Sequence, residues 1–307
     1  MRARFCAIPW LLLLALPVRA AVPPPSEPSP TAASGRPSLA SLFSEDRDNY
    51  FITRVPGVTG DGNADVKFQL STNFDVFPNQ SPVTVYIGYT QKSLWRMWDF
   101  SKSSPLQDTN YNPSLAIAFR AADSRGGRPH GVPGIHFYWA RLLAEHESNG
   151  VAGPTSRSWN RISAASRFGV YFTDRLYFIL QPKVWWPFVD SSLDSDGGGN
   201  PTLIQYTGYG ELRVECGLDS AENGSGYAQF VLGAVLRKGT KFLGSGEFWL
   251  RWRTPFRALS TSLYLQYFGG YDETLLSFDH FSNSLRIGVA LGDFFPSESK
   301  TPMTSAP

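Results

Sequence analysis

The sequence predicts an all-β fold, a twelve-stranded antiparallel transmembrane β-barrel, and three features carry that prediction. Apolar and polar residues alternate with a period of two through most of the chain. Many alternating segments reach about ten residues, enough for a tilted strand to cross the hydrocarbon, whereas strands of soluble sandwiches run nearer about five or six. The polar face carries both signs of charge (Lys67, Arg141, Glu145, Arg161, Glu211, Arg213, Glu215, Glu247, Arg251), as a lumen of paired ions requires.

The elements follow in chain order. Arg2 and Arg4, the apolar run Ile8 to Pro17 and the small residue Ala20 have the layout of a secretory signal peptide, residues 1–20. That run is too short to span a bilayer as a helix. Cys6 leaves with it, so the mature chain keeps Cys216 alone and forms no intramolecular disulfide. Residues 21–45 form a leader that starts rich in proline and serine and reads as disordered, and so does the tail 296–307. The barrel occupies 46–295.

About twelve segments alternate, near 48–55, 66–77, 82–92, 112–121, 134–148, 155–173, 175–187, 202–217, 226–237, 241–253, 258–270 and 284–295. In 66–77, Val66, Phe68, Leu70 and Phe74 share a face opposite Lys67, Gln69 and Asp75. An even count allows closure, which leaves no unpaired backbone edge in lipid. Asp293-Phe294-Phe295 closes the last strand close to the terminal aromatic usual in bacterial outer-membrane proteins. With the N-terminus in the periplasm, 93–111, 149–154 and 188–201 are external loops and Thr173-Asp174 is a tight periplasmic turn; 122–133 is long for that side. The formal net charge of +2 gives no basis for a nucleic-acid partner.

Chemistry concentrates at one external hairpin. His146-Glu147-Ser148-Asn149-Gly150 ends the fifth strand, and Pro154-Thr155-Ser156-Arg157-Ser158-Trp159-Asn160-Arg161 opens the sixth. Strand parity puts His146 and Ser148 on the face of Leu142 and Ala144. A hairpin centred on Gly153 sets Asn160 opposite His146, and opposed residues share a face. A hydroxyl nucleophile, an imidazole base and a side chain orienting that base then meet on the oily wall near the external rim. Polar residues there are costly, and costly residues tend to be functional. A His-x-Ser pair in a strand is weak by itself. His130, His136 and His280 have no metal-site spacing, and no phosphate-cradling glycine loop appears.

The hairpin resembles the signature of the bacterial outer-membrane phospholipase A family. The similarity includes Tyr89-Thr90-Gln91-Lys92-Ser93-Leu94-Trp95, Ser103-Ser104-Pro105, Asn110-Tyr111-Asn112-Pro113 and Asn200-Pro201, and runs from about Asp48 to Phe295. It implies an outer-membrane barrel active as a calcium-bound homodimer, its site towards the extracellular leaflet, hydrolysing sn-1 and sn-2 esters of glycerophospholipids and lysophospholipids. It also implies that Ser148 is the nucleophile, His146 the general base and Asn160 the residue orienting His146. The Gly150 N–H and water on Ca2+ would hold the oxyanion. The metal's oxygen ligands would be the Val151 carbonyl, Ser156, the Ser103 carbonyl of the facing subunit and Asp196.

Two departures bear on the metal. The family loop commonly carries an acidic residue where this chain has Gly153, and an Arg where it has Val151. The loop 188–201 is also longer and glycine-rich, so weaker calcium affinity is expected. Two further function classes stay open on the residues alone: a passive channel or structural barrel, and another barrel hydrolase such as a lipid A deacylase. A passive barrel gives no reason to expose His146, Ser148 and Asn160 outward.

Overall fold

Strands this long, with one face apolar, have a single way to satisfy every backbone group in lipid: pairing round into a ring. The computed structural model describes residues 43–44, 46–58, 65–76, 82–97, 106–121, 134–173, 176–188, 199–218, 230–241, 244–253 and 261–291. Its strands are β1 (Phe43–Ser44), β2 (Asn49–Arg54), β3 (Val66–Asp75), β4 (Val83–Trp95), β5 (Leu106–Arg120), β6 (Gly134–Ser148), β7 (Ser158–Tyr171), β8 (Leu176–Phe188), β9 (Gly210–Leu218), β10 (Phe230–Lys238), β11 (Gly244–Arg253), β12 (Thr261–Gly270) and β13 (Ser282–Leu291). From β2 onward each pairs antiparallel with the next, and β13 pairs back onto β2, closing a twelve-stranded barrel. The two-residue β1 continues the edge of β2 along β3, with Phe43 opposite Phe74. Phe43 and Ser44 thus belong to the sheet, upstream of the boundary expected at 46.

The alternation translates into an apolar outside and a charged inside. Leu142 is 61% exposed and Trp186 69%, on the outer wall, while Lys67 and Arg286 are fully buried within the lumen. Lys67 Nζ donates to Glu247 (3.1 Å), Gln266 (2.9 Å) and Glu273 (3.4 Å). Arg286 pairs with Asp65 at 3.1 Å and also with Glu273. Burial alone would raise the Glu273 carboxyl, but Arg286 and Lys67 overcome that and hold it at about 2. Burial at this scale is tolerable because these charges have partners.

Two segments fill the lumen from opposite ends. Between β1 and β2, Asp46 pairs with Arg141, and Asp48 pairs with Arg213 (2.7 Å) and Arg251 (3.4 Å). At the other end the loop 271–281 folds inward, burying Leu275 and Phe278 against Trp159, Trp185 and Leu203. Asn110 and Asp108 on β5 accept the Leu275 and Leu276 backbone N–H groups at 3.1 and 3.0 Å. A luminal cavity between them measures about 50 Å³, room for a few water molecules.

Strand bounds differ from expectation in two instructive places. The segment expected as strand from 202 begins as a short helix α1 (Leu203–Thr207), and β9 starts at Gly210. Leu203 and Thr207 are buried at the barrel mouth, so tertiary packing overrode the alternation there. The loop expected over 93–111 is shorter, because β4 runs to Trp95 and β5 begins at Leu106. The expected signal peptide, most of the leader, the tail and Phe294-Phe295 lie outside the described residues.

Removing one partner of a buried ion cluster strands the others. Arg286→Ala, which leaves Asp65 and Glu273 in the lumen without it, is expected to cost about 3–5 kcal/mol of stability in detergent micelles. Chemical unfolding followed by tryptophan fluorescence measures it, and an unchanged midpoint would refute the ion-cluster account.

Candidate active site

The β6–β7 hairpin is built in the expected register. Its ladder pairs Glu145 with Arg161, His146 with Asn160, Glu147 with Trp159 and Ser148 with Ser158. The chain turns through a 3-10 segment at Gly153–Thr155, where Gly153 has φ +80°. Because side chains alternate along a strand, the pairs sort by face. Glu145, Trp159 and Arg161 are buried inside, while His146 and Asn160 stand exposed on the outer wall with Leu142, Ala144 and Ile162.

Asn160 Oδ1 lies 2.8 Å from His146 Nδ1. A carboxamide oxygen can only accept, so Nδ1 carries the hydrogen and Nε2 is left free as a base. Ser148 lies two residues further along the same face, roughly 6.6 Å between Cα atoms by strand geometry. Its hydroxyl makes no hydrogen bond among the described residues, and catalytic contacts of this kind often tighten only with substrate. Two members of the expected trio are therefore bonded, and the third shares their face without yet touching the imidazole.

The neighbouring loop is organised by a residue that sequence reasoning passed over. Asn149 is buried; its Nδ2 donates to the Thr155 carbonyl (2.8 Å) and its Oδ1 accepts from the N–H of Arg157 (3.0 Å) and Val151 (3.4 Å). Asn200 Oδ1 accepts the Ser158 N–H at 3.2 Å, and the Ser156 carbonyl accepts the Gly199 N–H at 2.8 Å. The only hint in the sequence is Asn beside a turn, a residue that bonds local backbone. Gly150 follows with φ +67°, and a Cβ there would come within 3.0 Å of the Tyr111 ring. Among the described residues its N–H has no acceptor. The Val151 carbonyl and the Ser156 hydroxyl are likewise without partners among the described residues, two oxygens of the hard kind on one loop. Ser103 and Asp196 lie outside the described residues, as does His130.

The inner face of the hairpin is a lattice of charge. Arg161 bonds Glu145 (3.0 Å) and Glu147 (2.8 Å), Lys183 bonds Glu145 (2.8 Å), and Ser163 also bonds Glu145. Trp159 Nε1 donates to Glu147 at 3.2 Å, and Arg161 stacks 4.1 Å from the Trp159 ring centre. His136 packs edge-on against Tyr171, and His280 bonds Asp279 at 2.7 Å. Among the described residues no group of three His, Cys, Asp or Glu could hold a metal.

Residues 39–291 match the family model described as phospholipase A1. The chain belongs to the phospholipase A1 family. Phospholipase A1 of Salmonella typhimurium is 30% identical over 243 residues, covering 75% of this chain and 71% of that protein. The Escherichia coli K12 enzyme is 29% identical over 234 residues with the same coverage. Among solved structures, the outer membrane phospholipase A of Escherichia coli superposes with a TM-score of 0.64 at 26% identity, covering 82% of this chain and 99% of that one. The Salmonella typhi outer membrane phospholipase, solved as a dimer with bound calcium, gives 0.63 at 25% identity, covering 83% and 97%. Membership makes the chain a phospholipase-type ester hydrolase and an outer-membrane β-barrel.

Asn149 offers a test of the loop separate from the outer-wall residues. Asn149→Ala removes three hydrogen bonds to the segment after Gly150, and ester hydrolysis should fall by about tenfold or more while the barrel still folds. Initial rates and heat-shifted gel migration on the same preparation check it; undiminished rates would show that the loop orders itself without Asn149.

Proposed function

We propose that the chain is a calcium-dependent outer-membrane phospholipase that hydrolyses both sn-1 and sn-2 esters of glycerophospholipids and lysophospholipids, acting as a homodimer with its site towards the extracellular leaflet. The observation that carries this reading is the 2.8 Å contact between His146 Nδ1 and Asn160 Oδ1 on the exposed outer wall. A channel has no use for such a pair, and its lumen would need to be open, whereas this one is crossed by buried ion clusters.

In the proposed mechanism His146 Nε2 removes the proton from Ser148 Oγ as that oxygen attacks the ester carbonyl. The tetrahedral oxyanion forms beside the Gly150 N–H, which has no acceptor among the described residues and is held in place by the tight turn. His146 then passes the proton to the leaving lysolipid oxygen. Water, deprotonated by the same nitrogen, releases the fatty acid from Ser148. Asn160 keeps the imidazole in the required tautomer throughout, although a neutral amide gives an imidazolium less support than a carboxylate would.

The Val151 carbonyl and Ser156 hydroxyl suit a hard cation, with Ser103 of the facing subunit and Asp196 as further oxygen donors. Bound there, Ca2+ would polarise water beside the oxyanion site and tie the activity to dimerisation. Support for the metal and the dimer comes from the Salmonella typhi relative, which holds calcium as a dimer. The absence of a carboxylate at Gly153 points to looser binding in this chain.

Purified protein in mixed phospholipid micelles with calcium should release fatty acid, and Ser148→Ala should abolish release. No release by the wild type, or full activity in Ser148→Ala, would end the proposal. A titration should saturate only well above micromolar calcium, and Gly153→Asp should shift the midpoint to lower concentration. Saturation already at micromolar levels in the wild type would contradict the weak-binding expectation.

A further inference from the structure

Pro113 sits inside a central strand, a place proline normally avoids because it removes a ladder hydrogen bond. Along β5, odd-numbered residues turn their backbone groups towards β6 and even-numbered ones towards β4. Ala121 N donates to Tyr138 O at 2.9 Å, and Arg120 N donates to Pro82 O at 2.7 Å. Carried up the strand, that parity aims the Pro113 nitrogen at β6. The register between Tyr111↔Ser148 and Ser114↔Glu145 places it opposite His146, and the ladder has no bridge at that step.

The nitrogen has no hydrogen to give, so the His146 carbonyl faces an empty donor position. Asn112 fills it from the next residue along. Its Nδ2 donates to the His146 carbonyl oxygen at 2.9 Å. The same side chain lines the luminal cavity with Lys92, Glu147 and Arg161, so it faces inward and reaches sideways into the ladder.

We propose that Asn112 is a positioning residue for His146, its carboxamide replacing the backbone donor that Pro113 lacks. This rests on the Ser148–His146–Asn160 reading and deepens it. The imidazole is exposed and has little packing to hold it. Its place is set by two contacts from opposite sides: Asn160 at the ring from β7, and Asn112 at the backbone from β5. Ser148 lies on the same stretch of β6, so slack at the His146 carbonyl would move base and nucleophile together relative to Asn160. Displacements of about 1 Å at reacting groups can cost up to about a hundredfold.

The proline also supplies the test, because replacing it returns a backbone N–H at the right place. Fatty acid release is measured on folded barrels in mixed micelles with calcium, giving kcat and KM separately. Asn112→Ala and Asn112→Asp are expected to lower kcat about tenfold with KM changed less than about twofold. Asn112→Asp keeps the shape, has no amide donor, and carries the comparison if the alanine variant does not fold. Adding Pro113→Ala to either variant should restore most of the lost kcat, a rescue that a purely structural role for Asn112 gives no reason to expect. Wild-type kcat in the single variants, or a double variant as slow as its parent, would overturn the assignment while leaving the triad reading standing. A wild type that releases no fatty acid, or a Ser148→Ala variant as fast as wild type, fails that reading instead.

Discussion

The hydrogen-bonded register between β6 and β7 decides which residues face lipid and which face the lumen, and the rest of the molecule is arranged to hold it. Side chains alternate with a period of two, so a slip of one residue on β6 would carry His146 inward and put Glu145 and Glu147 on the outer wall. Each misplaced charge would cost several kcal/mol in hydrocarbon. The inward pairs make the correct register stick. Glu145 opposes Arg161 directly, Glu147 opposes Trp159, and Arg161 bridges both carboxylates. The luminal lattice is therefore more than filler, because it locks the alignment that sets His146 opposite Asn160.

The same logic extends round the ring. An apolar exterior leaves the lumen as the only place for charge, and a lumen of isolated charges would be ruinous. The chain answers with two inserts, the Asp46–Asp48 segment and the loop 271–281, each carrying acidic groups to arginines or lysine that the strands present. The loop adds an apolar plug, since Leu275 and Phe278 pack on Trp159, the inward neighbour of Asn160. The exposed His146–Asn160 pair thus rests on a packed backing, which is the support a site on the outside of a barrel lacks otherwise.

Legibility in the sequence tracked how local the deciding physics was. β6 runs over 134–148 as alternation predicted, because a long strand with one oily and one charged face has no competing solution. His146 opposite Asn160 followed from parity and the centre of a short hairpin alone. Leu203–Thr207 misled, since a five-residue helix docking Leu203 under Trp159 looks like alternation when the docking surface is unknown. Leu275 and Phe278 were unreadable for the same reason: nothing local says that an external loop will turn inward. Asn112 bonds a backbone group whose position depends on another strand, so its residue type carried no signal, and Asn149 gave only the hint of an Asn beside a turn.

The choice of Asn at 160 follows from where the pair sits. An ionised carboxylate would stabilise an imidazolium better, as in soluble triads. On an apolar outer wall, however, a carboxylate without a permanent counter-charge pays a desolvation cost that a neutral amide avoids. The nearest guanidinium in sequence, Arg161, points inward and is spent on Glu145 and Glu147. A carboxamide gives up part of the charge stabilisation and keeps what the geometry needs, an acceptor that fixes the tautomer. In the proposed mechanism the missing charge stabilisation then has to enter from the oxyanion side, where the Val151 carbonyl and the Ser156 hydroxyl would hold a cation.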